Sequence, residues 1–550
     1  MIYAPVAVVG AGPVGMNLCL HLARLGVQSM LIERESGPRR HPKGNTHNSR
    51  TMEHYRRLGL AREMRKLGLP PDHPTDVGYF TTLAGYELAR LPMPSEAQKL
   101  EQVRKASPTD QIVEPIFRCN QMYVEQFLFE KIQSNPLIDC RFGWEFVDWY
   151  DSPEGVEVTL VDESGHQLTA RCDYLIGCDG GPSLVRKKLG IKFAGEAYRE
   201  QAYAGGLTAS TFIRAPELYQ GIVRRPCFQY GIVNHLVRGN IVSLDGREHF
   251  AFNTRLRPRD GESEKDTILR QFKICVGTDC AAEYIAHFMW TAGQGLVADG
   301  YGGGRVFMAG DAVHLFTPQG GFGMNTGIDD AVNLAWKLAA VLQGWGGPAL
   351  LSSYETERRP IAIRNTRAAQ TLARQIGEVP IAETMLDDSA AGQQGRDAAG
   401  AVLARFTEEY ASIGIQLGVR YDHSEIMVSD GQAPPDLYDR YLPTASPGGR
   451  APNVWLAPER PIFDVFGRGF TFVVFVDGQH DAGGSVAEAA RTRNIPLEVV
   501  HVPSDPARDL YAADYALIRP DLHVAWRGDQ VPPSGDALWN VLLGGHAQVP

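Results

Sequence analysis

The chain has 550 residues, with 54 Lys and Arg against 64 Asp and Glu, a formal charge of −10, 44% hydrophobic and 21% charged residues. At about 100–200 residues per domain that length holds two to four globular domains with a large core, and the acidic balance argues against a nucleic-acid groove or an anionic membrane surface. Eight cysteines without a CxxC spacing read as reduced, buried thiols, and no metal site is expected.

In chain order, the N-terminus MIYAPVAVVG has neither a basic region nor a long apolar run. No window approaches the ~18 apolar residues of a membrane span, so the cytoplasm is the expected compartment. A β-branched strand, Val6 to Val9, runs into Gly10-Ala11-Gly12-Pro13-Val14-Gly15. A helix with apolar period Val14, Leu18, Leu22, Leu25 follows, and then a strand, Ser29 to Ile32, ending at Glu33. Gly10 permits the tight turn, Gly12 lets a pyrophosphate approach the backbone, and Gly15 lets the helix pack on the strand. The bare helix N-terminus favours a diphosphate, and Glu33 is placed for ribose hydroxyls. An acid there disfavours a 2′-phosphate, so FAD or NAD fits this site better than NADP.

Further on, Tyr174-Leu175-Ile176-Gly177 is a strand leading to Cys178-Asp179-Gly180 and a helix start. β-like runs with aromatics follow at Cys227–Val233, Asn240–Leu244 and His249–Phe252. A strand over Arg305 to Ala309 ends at Gly310-Asp311, and a helix apolar at Ile328, Ala331, Leu334, Ala335, Leu338 and Val341 begins beyond Pro318, Gly320, Gly321, Gly323 and Asn325. Glycines ahead of a helix leave its N–H groups bare and let a flat ligand lie against the backbone. The dipole then favours the negative N1–C2=O edge of a reduced flavin, and Asp311 suits a ribityl chain. Residues 346–425 read as helical, with a polar Ala/Gly-rich patch from Asp387 to Gly400 expected as a mobile loop. After Pro447-Gly448-Gly449-Arg450 come strands at Phe470–Val476, Leu497–Val502, Tyr515–Ile518 and His523–Trp526, and a helix at Val486–Arg493.

GAGPVG, GCDGGPSLVRKKLGI and GRVFMAGDAVHLFTPQGGFGMNTGIDDAVNLAWKL resemble the GxGxxG, DG and GD motifs of single-component FAD-dependent aromatic hydroxylases. These are the class A flavin monooxygenases of the para-hydroxybenzoate hydroxylase-like group. The chain looks nearest to phenol and chlorophenol hydroxylases with a thioredoxin-like C-terminal domain, and the resemblance covers nearly its whole length. Thr317-Pro318 stands where two prolines are usual, and Asn45 stands where some phenol hydroxylases carry an Asp.

The resemblance implies an α/β fold with a Rossmann-type FAD-binding domain, an interleaved mixed β-sheet substrate domain, a helical segment and a C-terminal thioredoxin-like α/β domain. The expected boundaries are 1–75, 105–190 and 285–345 for a discontinuous FAD domain, 76–104 and 191–284 for the substrate domain, 346–425 for the helical region and 440–550 for the C-terminal domain. That last domain has no cysteine, so its expected role is packing or assembly.

The implied reaction is NAD(P)H- and O2-dependent hydroxylation of a phenolic compound, ortho to its oxygen, through a flavin C4a-hydroperoxide, in aromatic degradation. The alternatives are a tailoring hydroxylase or Baeyer–Villiger-type enzyme acting on a polycyclic aromatic polyketide, and a non-catalytic FAD-binding protein. The implied cofactors are FAD, NADPH or NADH as co-substrate, and O2. The partner is a small aromatic substrate, with no nucleic acid and no membrane; a homodimer is one assembly left open.

The motifs and the resemblance together give a cofactor set of Gly10, Gly12, Pro13, Val14, Gly15, Glu33, Arg34, Arg50, Gln121, Asp179, Asp311, Pro318, Gly321, Gly323, Met324 and Asn325. Arg50 enters as an arginine reaching the FAD phosphates. The nicotinamide, lacking a second GxGxxG, is expected to bind transiently near the Asp179 segment. A group beside the phenol oxygen is sought at His47, in the loop expected to face the site, and at Tyr230 and His249, on the expected substrate sheet. A solvated loop histidine, a core tyrosine and an edge histidine are the competing readings of these three.

Overall fold

The computed structural model describes residues 2–196, 206–347, 349–406, 410, 412–431, 433–476, 483–502 and 504–545. Its nucleotide-binding half is built on a six-stranded sheet in the order Gly302–Gly303, Val306–Met308, Tyr174–Gly177, Val6–Val9, Ser29–Glu33, Ile138–Phe142. All neighbours are parallel except the first pair. Val6–Val9 and Val306–Met308 are buried throughout, as a sheet covered on both faces requires. The helices Pro13–Arg24 and Phe322–Leu342 pack on each other over this sheet.

The second half is a seven-stranded sheet, in the order Glu283–Ala292, Gly206–Arg214, His249–Arg255, Arg238–Ser243, Gln229–Val233, Val77–Phe80, Glu87–Leu91. Side chains alternate between its faces. Tyr230, Ile232, Ile241, Phe250 and Phe252 form one core with Ile268 and Phe272 of the helix Glu264–Val276. Phe228, Val242 and Ala251 face the other way, against Met122 and Tyr123 of the helix Gln121–Gln133. Glu283–Ala292 pairs with Gly206–Arg214, so the expected boundary at 284/285 falls inside a strand of this sheet, and the nucleotide-binding part resumes after it.

The Asp387–Gly400 patch is not a loop. It forms most of the helix Ala390–Leu403, capped by Ser389, whose Oγ accepts from Gly392 N. Its alanines and Gln/Arg residues are helix formers, and this outweighs three interior glycines. The helix Ser353–Gly377 carries Pro360 inside it.

The C-terminal unit is a four-stranded sheet in the order Leu497–His501, Phe470–Val474, Tyr515–Ile518, Val524–Gly528. The first pair is parallel and the others antiparallel. Helices Gly484–Thr492, Asp505–Tyr511 and Gly535–Leu542 complete the thioredoxin-like order, the last two being elements not among those expected from the sequence. Among the described residues no helix is long and apolar enough to cross a membrane.

Candidate active site

The first glycine turn is fixed by close approach. Gly10 has φ +103°, and a Cβ there would stand 2.3 Å from the Cys178 carbonyl oxygen; one at Gly15 would stand 2.0 Å from the Gly10 oxygen. A Cβ at Gly12 meets nothing within 4 Å, so the open side of the turn is at Gly12, which starts the helix Pro13–Arg24 without a side-chain cap. Glu33 lies beside this turn: its Oε2 accepts from Ala11 N at 2.8 Å and its Oε1 from Glu35 N at 3.2 Å.

The second element is the loop from Gly310 to Gly323. Gly310 (φ +65°) and Gly327 close on Val14: a Cβ on Gly327 would stand 2.7 Å from Val14 Cγ2 and 2.9 Å from Gly310 Cα. Asp311 follows in a short 3₁₀ turn, half-buried, and its carboxylate has no hydrogen-bond partner among the described residues. Pro318 opens a second 3₁₀ turn, and Gly320 and Gly321 both have positive φ. Gly321 starts the helix Phe322–Leu342 with no side-chain cap, so that helix end also presents bare N–H groups. Met324 packs on the main core, and Gly323 lies against Phe316.

The loop 41–48 joins this cradle to the large sheet. A Cβ on Gly321 would stand 3.2 Å from Thr46 Cβ, and His41 packs on Phe288 at 4.9 Å between ring centroids. Phe288 opens a register row on the inner sheet face: Phe288, Ser210, Asn253, Asn240, Gly231. Trp290 Nε1 donates to Ser210 Oγ (3.0 Å), which donates to Asn253 Oδ1 (2.6 Å). Asn240 Oδ1, with Gly231 opposite it, is buried without a partner among the described residues.

Several residues singled out in the sequence have other work. Arg50 does not reach a phosphate site. It is buried, donating to Glu53 Oε2 (3.1 Å) and to the backbone oxygen of Asp521 (2.6 Å) in the C-terminal unit, with Asp329 at 3.6 Å. His47 is wholly buried between Tyr55 and Phe117, and burial pushes its pKa down to about 3. An imidazole that weakly basic cannot deprotonate a phenol near neutral pH. Tyr230 points to the helix-covered face, away from the row above. Its oxygen accepts from Cys227 N (2.7 Å) and contacts Tyr219 (3.1 Å), and burial holds its pKa far above the usual phenol value. His249 stands on the inner face but at its edge, half-exposed, with Nδ1 2.6 Å from Asp245 Oδ2 and its ring on Phe212.

Asp179 caps the helix Leu184–Lys188, its Oδ2 accepting from Leu184 N (2.7 Å) and Val185 N (3.2 Å). Asn325 ties the long helix to the 41–48 loop, donating to Thr46 O (3.0 Å) and accepting from Asn48 N (2.9 Å). Gln121 N donates to Gly44 O, and its amide donates to Glu125. Arg34 is largely exposed beside Glu35.

Sequence reasoning left out Glu125, whose pKa burial raises, and the inner-face row. The Arg186 guanidinium bridges Gly181 O and Ala312 O at 2.9 Å each. Only pairing register could have found the row, because one residue of slip reverses the face.

The chemistry of the donors fits a flavin dinucleotide. Two uncapped helix ends, the open side of Gly12, the Asp311 carboxylate, and buried oxygens on Asp179, Thr317 and Gln319 that have no partner among the described residues surround the region. Gly12, Glu33, Asp311 and the Pro318–Asn325 turn are the residues that would hold the cofactor.

Comparison with known proteins supplies the rest. A family described as an FAD binding domain matches residues 3–369, and one described as the C-terminal domain of aromatic-ring hydroxylases matches residues 444–543. The FAD-dependent monooxygenase apdD of Emericella nidulans is 32% identical, over 97% of this chain and 88% of its own. The 4-methyl-5-nitrocatechol 5-monooxygenase of a Burkholderia species is 30% identical, over 98% and 96%. The solved structure of the rebeccamycin biosynthetic enzyme RebC with bound 7-carboxy-K252c superposes with a TM-score of 0.88 at 32% identity, covering 99% of this chain and all of that one.

Proposed function

The chain belongs to the FAD-dependent aromatic-ring hydroxylases, and from that premise we propose that it hydroxylates a multi-ring aromatic compound in biosynthetic tailoring, with NADPH or NADH and O2 as co-substrates. When bound, FAD supplies the electron transfer and the dioxygen chemistry, and the protein supplies binding, orientation and exclusion of water.

The observation that carries the choice is Asn45. At the position where some phenol hydroxylases carry an aspartate, this chain has an amide whose Oδ1 accepts from Asn120 Nδ2 at 2.6 Å. An amide donates and accepts but takes no proton, so a carboxylate-assisted phenol scheme has no carrier there. With His47 and Tyr230 also withdrawn, substrate recognition falls to the inner sheet face. Its row crosses five strands, roughly 19 Å at about 4.8 Å per strand. A single ring covers only a fraction of that length. Phe288 and Trp290 offer an aromatic wall, and the amides of Asn253 and Asn240 offer hydrogen bonds to ring oxygens. The similarity to a biosynthetic enzyme supports this reading; the nitrocatechol relative supports a single-ring substrate.

The holoenzyme is assayed for NADPH and NADH oxidation with a panel of hydroxylated multi-ring aromatics against single-ring phenols and catechols, together with peroxide yield. The reading expects a multi-ring compound to accelerate oxidation many-fold with little peroxide. A simple phenol or catechol that is the best acceptor at low peroxide overturns it. As a second arm, Asn45→Asp should raise turnover of simple phenols relative to multi-ring ones.

A further inference from the structure

The segment Ser353-Tyr354-Glu355-Thr356-Glu357-Arg358-Arg359-Pro360 has no part in the site as described so far, yet it lies on the buried side of the Asp311 loop. Tyr354 Oη donates to the Met308 carbonyl at 2.8 Å. One helical turn later the fully buried Arg358 donates from Nε to Asp330 Oδ1 (2.8 Å) and from Nη1 to Asp329 Oδ2 (2.6 Å) and Tyr421 Oη (3.0 Å). Its Nη2 donates to the Thr326 carbonyl (3.2 Å). Asp330 in turn accepts from the Gly310 backbone N–H (3.2 Å) and pairs with His314 Nε2 (2.7 Å). The two backbone groups gripped, Met308 O and Gly310 N, stand directly ahead of Asp311. Arg186 holds the carbonyl just after it, at Ala312.

We propose that Tyr354 and Arg358 are positioning residues for the cofactor: from the buried side they set the backbone that aims the Asp311 carboxylate at FAD. This does not depend on which aromatic compound is oxidised. The geometry explains why arginine is needed. Four N–H groups of one planar fork meet four acceptors, three on the helix Phe322–Leu342 and one on Tyr421, which the point charge of a lysine cannot reproduce. The same guanidinium is linked to the C-terminal domain. Asp329, its partner, lies 3.6 Å from Arg50, which donates to Asp521 O, and the adjacent Glu357 pairs with Arg519 at 2.7 Å. The cysteine-free C-terminal domain therefore bears on the same clamp.

The test is FAD affinity of the full-length apoprotein, read by flavin fluorescence titration beside its own Tm, for Arg358→Lys and Tyr354→Phe. Arg358→Lys should weaken FAD binding by roughly ten- to a hundredfold, the scale on which a misplacement of about 1 Å is felt. Tyr354→Phe should weaken it severalfold with little change in apoprotein Tm. Both variants should show an altered visible absorption envelope of the bound flavin at saturating FAD. If both bind FAD as the parent does, or lose it only in proportion to a fall in apoprotein Tm, the proposal is overturned. If Arg358→Lys does not fold, Tyr354→Phe decides alone.

Discussion

Asp311 and His47 are both polar residues near the cradle, and their surroundings give them opposite parts. Asp311 has no protein partner among the described residues, so replacing it leaves no buried group stranded. Asp311→Ala should keep the fold and lose about 1.5–3 kcal/mol of cofactor binding, the worth of hydrogen bonds to a charged group. An FAD titration with unchanged apoprotein Tm checks this. His47 is neutral in the folded chain, with a pKa near 3 against an ordinary value of 6.5. Below 6.5 the unfolded chain takes up a proton that the folded chain refuses. The contribution of His47 to stability is therefore complete above pH 6.5 and is lost progressively as pH falls towards 3. His47→Phe should flatten the acid limb of the stability–pH curve, measured by denaturant midpoints between pH 7 and pH 4; an unchanged acid limb would contradict it. In sequence these two residues look alike. Asp311 was legible because its neighbours make a local motif, while the partners of His47 come from Phe117 and Tyr55 through packing.

Between elements, the contact that matters most is where the helices Pro13–Arg24 and Phe322–Leu342 cross beside Gly310. Gly327→Ala would force a Cβ against Val14 Cγ2 at 2.7 Å and Gly310 Cα at 2.9 Å. Overpacking of this kind costs about 1–3 kcal/mol. Because one of the crowded atoms is loop backbone, FAD occupancy of the purified protein should fall together with the denaturant midpoint. Both helices were readable from their 3.6-residue period, and the glycine turns from their position between strand and helix. The helix Ala390–Leu403 was not, because its three glycines and its polar residues have the composition of a loop. The inner-face row was not, because strand period gives two faces and only the helix Glu264–Val276 decides which one is covered. The side-chain partners of Arg50 and Asn325 were hidden for a related reason: they lie hundreds of residues away, at Asp521 and at Thr46 and Asn48.

Over the whole molecule, Arg450, Arg519 and Asp521 are among the groups of the C-terminal domain that meet the nucleotide-binding half. Arg450 is buried against Glu53 at 2.5 Å, Arg519 against Glu357, and the Asp521 carbonyl accepts from Arg50. Burial pushes the Glu53 carboxyl up, but Arg450 and Arg50 outweigh that and hold it below the usual carboxylate range. Arg450→Met should destabilise the chain by about 3–5 kcal/mol, since it leaves a buried carboxylate with one partner fewer. Equilibrium denaturation of the holoprotein measures this, and a cost below about 1 kcal/mol, the range of an exposed pair, would show that the pair does not bind the domains together. The sequence showed a tail without thiol chemistry but not these contacts, which join side chains from distant segments.

The most direct test of the account is the source of the oxygen atom in the product. The holoenzyme turns over the best multi-ring acceptor with NADPH or NADH under isotopically labelled dioxygen in ordinary water, and the product is weighed by mass spectrometry. The account predicts one labelled oxygen atom per product molecule, formed in step with nicotinamide consumed. Product carrying oxygen from water, or nicotinamide oxidation that yields only peroxide with every acceptor, would contradict it.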